Sequence, residues 1–162
     1  MKRLLTLLLG LALLLFPCGL CEALVDGDVA VTDTLLVEYG SDYSDEEEVA
    51  LYLHAFEELP PNYLTKAEAR ALGWDNRLGN LWQVAPGMAI GGDRFGNREG
   101  SLPDARNRNW YECDVNYTGG YRGAERLLFS NDGIIYYSPD HYQSFDLIYD
   151  GWYDPDGWYR YD

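Results

Sequence analysis

At Pro86 and Gly87 the chain changes the period of its apolar residues, and that change limits the folds open to it. From Ser44 to this point the chain carries helical signals. After Ser44 the segment DEEEVALYLHAFEEL places acids in a first helical turn, where they suit the macrodipole, and sets Val49, Tyr52, Leu53 and Phe56 along one face. Pro60 and Pro61 end that helix. Thr65 to Glu68 (TKAE) reads as a capping box opening a second short helix closed by Gly73, and a further helical turn is predicted at Asn80 to Val84. Beyond Gly87 the pattern turns to strands: Met88 to Arg94, Asn109 to Asp114, Glu125 to Ser130, Gly133 to Ser138 and Ser144 to Ile148, with SNDG at Ser130 to Gly133 as a tight hairpin turn. Helices first and antiparallel strands after predict an α+β fold.

Alternation within these strands decides which residues share a face. Trp110, Glu112 and Asp114 fall on one side of their strand, Tyr111 and Cys113 on the other. On the next strand Arg126, Leu128 and Ser130 alternate with Leu127 and Phe129. One face of the sheet is therefore expected to be apolar and buried, the other polar and open as a cleft.

The N-terminus reads as an export signal. Lys2 and Arg3 precede an apolar run from Leu4 to Phe16, and Cys21 and Ala23 offer small residues for cleavage. Secretion is the expected destination, with the mature chain starting near Leu24 and no membrane anchor, because the apolar run is shorter than a span of about 20 residues. Pro17 before Cys18 and Leu20 before Cys21 fit a lipoprotein signal poorly. Loss of the signal leaves Cys113 as the remaining cysteine, so the domain must be held by its core and not by disulfides. The divisions expected are a signal peptide at 1–23, an acidic leader or pro-segment at 24–48 with no assigned fold, a catalytic domain at 49–149 and an acidic aromatic tail at 150–162. A monomer is the default.

The formal charge of −15 disfavours a polyanionic ligand, but its distribution softens the objection. Lys66 to Arg126 carries nine Lys and Arg against eight Asp and Glu, while all acidic and basic side chains from Glu22 to Glu58 and from Asp132 to Asp156 are acidic. Screening over about 8 to 10 Å lets a local basic cleft act within an acidic molecule. That middle segment holds WYECDVNYTGGYRGAER, which sets Glu112 on a strand with Arg122 and Arg126 just beyond it, ahead of His141. A carboxylate base, a cationic cradle and an imidazole acid are the parts needed to break a phosphodiester. His54, between Leu53 and Ala55, reads instead as an exposed residue on the polar side of its helix.

Four stretches, LPPNYLTKAEARALGW at Leu59 to Trp74, GNLWQVAPGMAIGGDRFGNREGSLP at Gly79 to Pro103, the strand and loop just quoted, and DHYQSF at Asp140 to Phe145, resemble the barnase-like family of small secreted bacterial guanyl-preferring ribonucleases. The resemblance runs from Val49 to Phe145. It implies helices on a five-stranded antiparallel sheet with single-stranded RNA across the open face. It also implies Glu112 as general base, His141 as general acid, and Lys66, Arg122 and Arg126 as phosphate ligands. Phe95, Gly96, Asn97, Arg98 and Glu99 would form the guanine-recognition loop, with Glu99 accepting from the guanine N1–H and amino group. Tyr142 could stack on a base, and Asp114 would orient the arginines without transferring protons. The chemistry implied is attack by the ribose 2′-hydroxyl to give a 2′,3′-cyclic phosphate, then its hydrolysis. DNA lacks that nucleophile. No cofactor or metal is expected, and a barstar-like small acidic inhibitor protein is implied as a partner.

The chain departs from the family pattern in places. It is acidic, Gly96 and Ala124 stand where hydroxyl-bearing residues are frequent, and Cys113 stands where a small residue is usual; Cys113 is read as a small buried apolar residue. The tail repeats DGWY within DGWYDPDGWYRYD, which suggests a docking element, an extra hairpin or a disordered end. A calcium role for Asp154 and Asp156 lacks the remaining ligands. Two other functions fit parts of the sequence: a non-catalytic extracellular binding module on the same fold using the aromatic tail, and a two-carboxylate glycosidase pairing Glu112 with an acid such as Asp93, which leaves the arginines unexplained.

Overall fold

A computed structural model describes residues 24–26, 29–31 and 35–152. The expected signal peptide and all of the tail beyond Trp152 lie outside the described residues. Three short strands come first, β1 (Leu24–Asp26), β2 (Val29–Val31) and β3 (Leu36–Glu38), paired antiparallel in that order. The leader, to which the sequence assigned no fold, thus forms a small sheet of its own.

Helix α1 (Glu46–Phe56) begins where Asp45 accepts the Glu47 N–H at 3.0 Å, with Glu46, Glu47 and Glu48 at its positive end. It stops at Glu57, whose left-handed backbone (φ 60°) returns its N–H to Leu53 O. The expected single apolar face proves too narrow: Val49, Ala50, Leu51, Tyr52 and Leu53 are all buried. Two layers cover the helix. Val49, Ala50 and Leu53 pack on Cys113, Val115, Leu127 and Ile135 of the main sheet, whereas Leu51 and Tyr52 pack under Val37 of β3. Tyr52 Oη also accepts the Gly40 N–H at 3.0 Å, which ties the leader down.

The main sheet runs β4 (Tyr63–Leu64), β5 (Ala89–Phe95), β6 (Trp110–Asp114), β7 (Arg126–Ser130), β8 (Ile134–Ser138) and β9 (Asp146–Asp150) in spatial order. Five of these form the expected antiparallel meander. The sixth, β4, is a two-residue strand parallel to β5, joined where Ala89 N–H donates to Asn62 O at 2.8 Å. The count of five strands is corrected to six on that account. Between β4 and β5 lie α2 (Lys66–Ala71), opened by the complete Thr65/Glu68 capping box, and α3 (Leu81–Val84). Ala69, Trp74, Leu81 and Ala85 bury them against Ala89, Ile90 and Tyr117.

A bulge between Gly91 and Asp93 interrupts the β5–β6 ladder. A Cβ on Gly91 would lie 2.6 Å from both Cys113 Cβ and Tyr63 Cδ1, so only glycine fits where β4, β5 and β6 crowd together. Across the meander, Glu112 pairs with Leu128 and Leu128 with Tyr136; Asp114 pairs with Arg126 and Arg126 with Ser138. This register puts the charged groups in one row on the side away from α1.

His54 does not occupy an exposed position. Its ring stacks on Tyr149 at 4.0 Å and 7°, and Nδ1 donates to Gly151 O at 2.9 Å. Burial pulls its pKa down to about 4, the carbonyl contact opposing this in part.

Candidate active site

The sheet face opposite α1 is not uniformly polar. Near the β7–β8 turn, Trp110, Leu128 and Ile134 form a second small core with Leu102, flanked by Phe95, Tyr136, Tyr142 and Phe145. The loops after β5 and β8 close over it. The charged residues occupy the other end of the face, where these loops leave room.

Glu112, 7% exposed, is held on both carboxylate oxygens. Lys66 Nζ, from the first turn of α2, donates to Oε1, and Tyr142 Oη donates to Oε2 at 2.5 Å. Burial works to raise the Glu112 pKa, but these two donors, with the charges of Lys66 and Arg122, more than offset it and leave the carboxyl below its ordinary value. Tyr142 shifts the other way, pushed up to about 12 by burial and by the adjoining carboxylate, so its phenol stays protonated and keeps donating. Lys66 is itself positioned by Asp93, whose carboxylate accepts the Lys66 backbone N–H at 2.8 Å. Asp93 sits opposite Glu112 in the β5–β6 register, yet is committed to the start of α2.

Asp114, 1% exposed, lies between two guanidinium groups. Arg122 grips it in a fork, Nε to Oδ2 and Nη2 to Oδ1, both at 2.6 Å. Arg126, 2% exposed, brings Nε to 2.9 Å from Oδ1 and donates from Nη1 to Glu125 O at 2.6 Å. The Nε contact misses hydrogen-bond alignment, so charge alone holds it; among the described residues it is a buried side-chain nitrogen without a hydrogen bond. The fork leaves Arg122 Nη1 outside the carboxylate pair.

His141 and Tyr142 both have left-handed backbone, φ 60° and 72°, an uncommon state for non-glycine residues. A local network holds them there. His141 N–H donates to Ala124 O at 3.1 Å and Tyr142 N–H to Ser138 Oγ at 2.9 Å, while Asp140 Oδ1 accepts the Gln143 and Ser144 N–H groups at 2.9 Å each. The exposed His141 ring lies 4.8 Å from the Tyr142 ring, and Tyr142 in turn reaches Glu112. Carboxylate and imidazole therefore share one patch, with Tyr142 between them. Tyr142 was read as a base-stacking residue; its hydroxyl is anchored on Glu112, and its half-buried ring leans against Phe95 at 5.2 Å.

In the loop after β5, Asn97 adopts φ 38° and spends its side chain on Leu102, donating to its carbonyl at 2.9 Å and accepting its N–H at 3.0 Å. The Asn97 amide thus shapes the loop and is not free for a ligand. Gly96, Arg98 and Glu99 are exposed at the rim. Sequence reasoning missed Asp140 and the hydroxyl of Tyr142 as parts of this site, and it placed Asp93 near Glu112 only as a second carboxylate, not as the anchor of Lys66. Asp140 left a visible signal, an acid three and four residues before the polar pair Gln143 and Ser144; the contacts of Asp93 and Tyr142 depend on a bulge and a left-handed turn.

The meander packed on an N-terminal helix thus carries a buried carboxylate, paired arginines and an exposed histidine on its far face. The ribonuclease family model matches residues 46–149, and the chain belongs to that family. It is 54% identical over 100 residues to a ribonuclease of Bacillus intermedius, a match covering 62% of each chain. It is 55% identical over 100 residues to a ribonuclease of Heyndrickxia coagulans, covering 62% of this chain and 92% of that one. A guanyl-specific ribonuclease St of Saccharopolyspora erythraea matches at 42% over 57 residues, 35% of this chain and 56% of the relative. The chain therefore spans less than two thirds of the Bacillus relative's length.

Proposed function

We propose that this chain is a secreted endoribonuclease that cleaves single-stranded RNA on the 3′ side of guanosine, without a metal, and acts as a monomer. The observation that carries the reading is the doubly hydrogen-bonded Glu112 beside the Asp114–Arg122–Arg126 group, on one face with His141. Family membership and the guanyl-specific relative support the substrate.

Glu112 is ionised at neutral pH and takes the proton of the ribose 2′-hydroxyl, whose oxygen attacks the adjacent phosphorus; the P–O5′ bond breaks, and His141 protonates the departing oxygen. In the free protein Lys66 sits on Oε1. A phosphate drawn into the site offers the ammonium a second anionic partner, so Oε1 becomes available to the 2′-hydroxyl while Tyr142 keeps the carboxylate oriented through Oε2. Arg122 turns its remaining Nη1 toward the phosphoryl oxygens, and the buried Arg126 adds charge where negative charge builds. Hydrolysis of the cyclic phosphate reverses the roles of Glu112 and His141. Guanine is read by the loop from Phe95 to Glu99, with Asn97 holding its shape. A small acidic inhibitor protein that covers this cationic site would protect the producing cell.

The test is cleavage of GpN and ApN dinucleotides by the mature protein with chelator present, repeated with Glu112→Ala and His141→Ala. GpN-selective, chelator-resistant cleavage that disappears in both variants is expected. A parent protein without cleavage would favour a binding module.

A further inference from the structure

Two large aromatic side chains stand out of the surface close to this site without serving it. Tyr121 is 71% exposed and Trp82 39% exposed. One loop contact fixes the Trp82 ring and the backbone at Tyr121. Gly119 and Gly120 have φ of +93° and +75°, and a Cβ on Gly119 would meet Trp82 Cε3 at 2.6 Å; a Cβ on Gly79 would meet the backbone of Gly120 and Tyr121 at 2.9 to 3.0 Å. The loop before Arg122 therefore lies directly on the turn at Gly79 and on the Trp82 ring of α3. Tyr117 fixes both partners, donating from its hydroxyl to Gly120 O at 2.8 Å and meeting the Trp82 ring edge-on at 5.5 Å and 76°. Trp82 is pinned further by its indole N–H on Met88 O at 2.9 Å.

We infer that Trp82 and Tyr121 form a stacking shelf for an RNA base beyond the cleaved GpN step, an inference that rests on the ribonuclease reading above. Exposed rings on either side of a stretch of bare glycine backbone, with Trp82 pinned in place, offer flat apolar surface, which is what an unpaired base requires. Continuity with the reactive centre gives the direction: the residue after Tyr121 is Arg122, whose guanidinium is forked on Asp114 beside Glu112. Charge agrees. Residues 66–82 carry Lys66, Arg70 and Arg77 against Glu68 and Asp75, and Arg122 lies beside them forked on Asp114, in a chain that has no Lys or Arg at residues 22–58 or 132–156. A ligand that is anionic along its backbone and flat and apolar at its rings matches this strip.

The test compares kcat/KM on GpN with kcat/KM on a single-stranded oligoribonucleotide carrying the same GpN step and two further unpaired nucleotides at each end. The parent protein should prefer the longer substrate by about 5- to 150-fold, the worth of one stacked base. Tyr121→Ala and Trp82→Ala should remove most of that preference and leave GpN cleavage unchanged, which also reports that the variants are folded. Tyr121→Trp should keep the preference, and Tyr121→Leu, which retains apolar area without a π-face, should not. Full preference in every variant would leave the rings as a protein-docking face and overturn the inference, as would a parent that cleaves GpN and gains nothing from length. A parent inactive on both substrates would instead sink the ribonuclease reading, and the shelf with it.

Discussion

The two faces of the main sheet are covered differently: one lies wholly under a helix and is apolar, whereas the other is capped by loops at one end and left open at its charged end. Toward α1 stand Cys113, Val115, Leu127 and Ile135, none more than 3% exposed and all apolar. On the far side the same strands bury Glu112, Asp114 and Arg126 to within 7%. Burial of the first set stabilises by about 1.5 to 3 kcal/mol for each large side chain. Burial of the second costs desolvation that the ion pairs only repay, so stability alone gives no reason to keep it. Under the proposed function the reason lies in chemistry: fixed charges in a site poor in water stabilise a phosphoryl transition state far better than solvated ones.

The largest effect should follow from cutting the charged face at its centre. Asp114→Ala strips the counter-ion from the buried Arg126 and should cost about 3 to 5 kcal/mol in urea denaturation, with loss of RNA cleavage because Arg122 is released as well. On the other face Leu127→Ala should cost a comparable 2 to 5 kcal/mol through its cavity, while kcat/KM on GpN stays at the parent value wherever the protein is folded. If both variants lost activity in proportion to stability, the contrast between the faces would collapse. A smaller cost, about 1 to 2 kcal/mol, is expected for Val37→Ala, which thins the cover over Leu51 and Tyr52; an unchanged urea midpoint would mean that the leader contributes nothing to the folded domain.

The smallest effect is a shift in pH dependence. Burial raises the Glu112 pKa, while the hydrogen bond and charge of Lys66 help bring it below the ordinary carboxylate range. Ionised Glu112 therefore adds stability above the unfolded-chain value of about 4.3, and that contribution is lost as pH falls through the lower folded value. In Lys66→Met the folded value rises. The acid limb of kcat/KM should move to higher pH, and the melting temperature should fall less steeply between roughly pH 5 and pH 3. An acid limb that stayed in place would show that Lys66 does not set the protonation of the base.

Local chemistry made much of this molecule legible. The Thr65–Glu68 box, the hairpin turn at Gly133 and the alternation of Trp110, Glu112 and Asp114 against Tyr111 and Cys113 each rest on neighbours within a few residues. What escaped depends on distant partners. Val37 reads as part of a short apolar patch until α1 is there to receive it, and Tyr63–Leu64 becomes a strand only because Ala89 donates to Asn62. Asp93 looked like a spare acid, but the Gly91–Asp93 bulge places its carboxylate at the start of α2. The turn of Tyr142 toward Glu112 needs two successive left-handed non-glycine residues, which no local propensity announces.

His54 and Gly151 join the first helix to the end of the last strand across 97 positions of sequence. Cutting the chain back to Tyr149 would therefore leave the Nδ1–H of a largely buried ring without its acceptor, a penalty of about 1 to 3 kcal/mol that falls on α1, an element with no residue in the reactive centre.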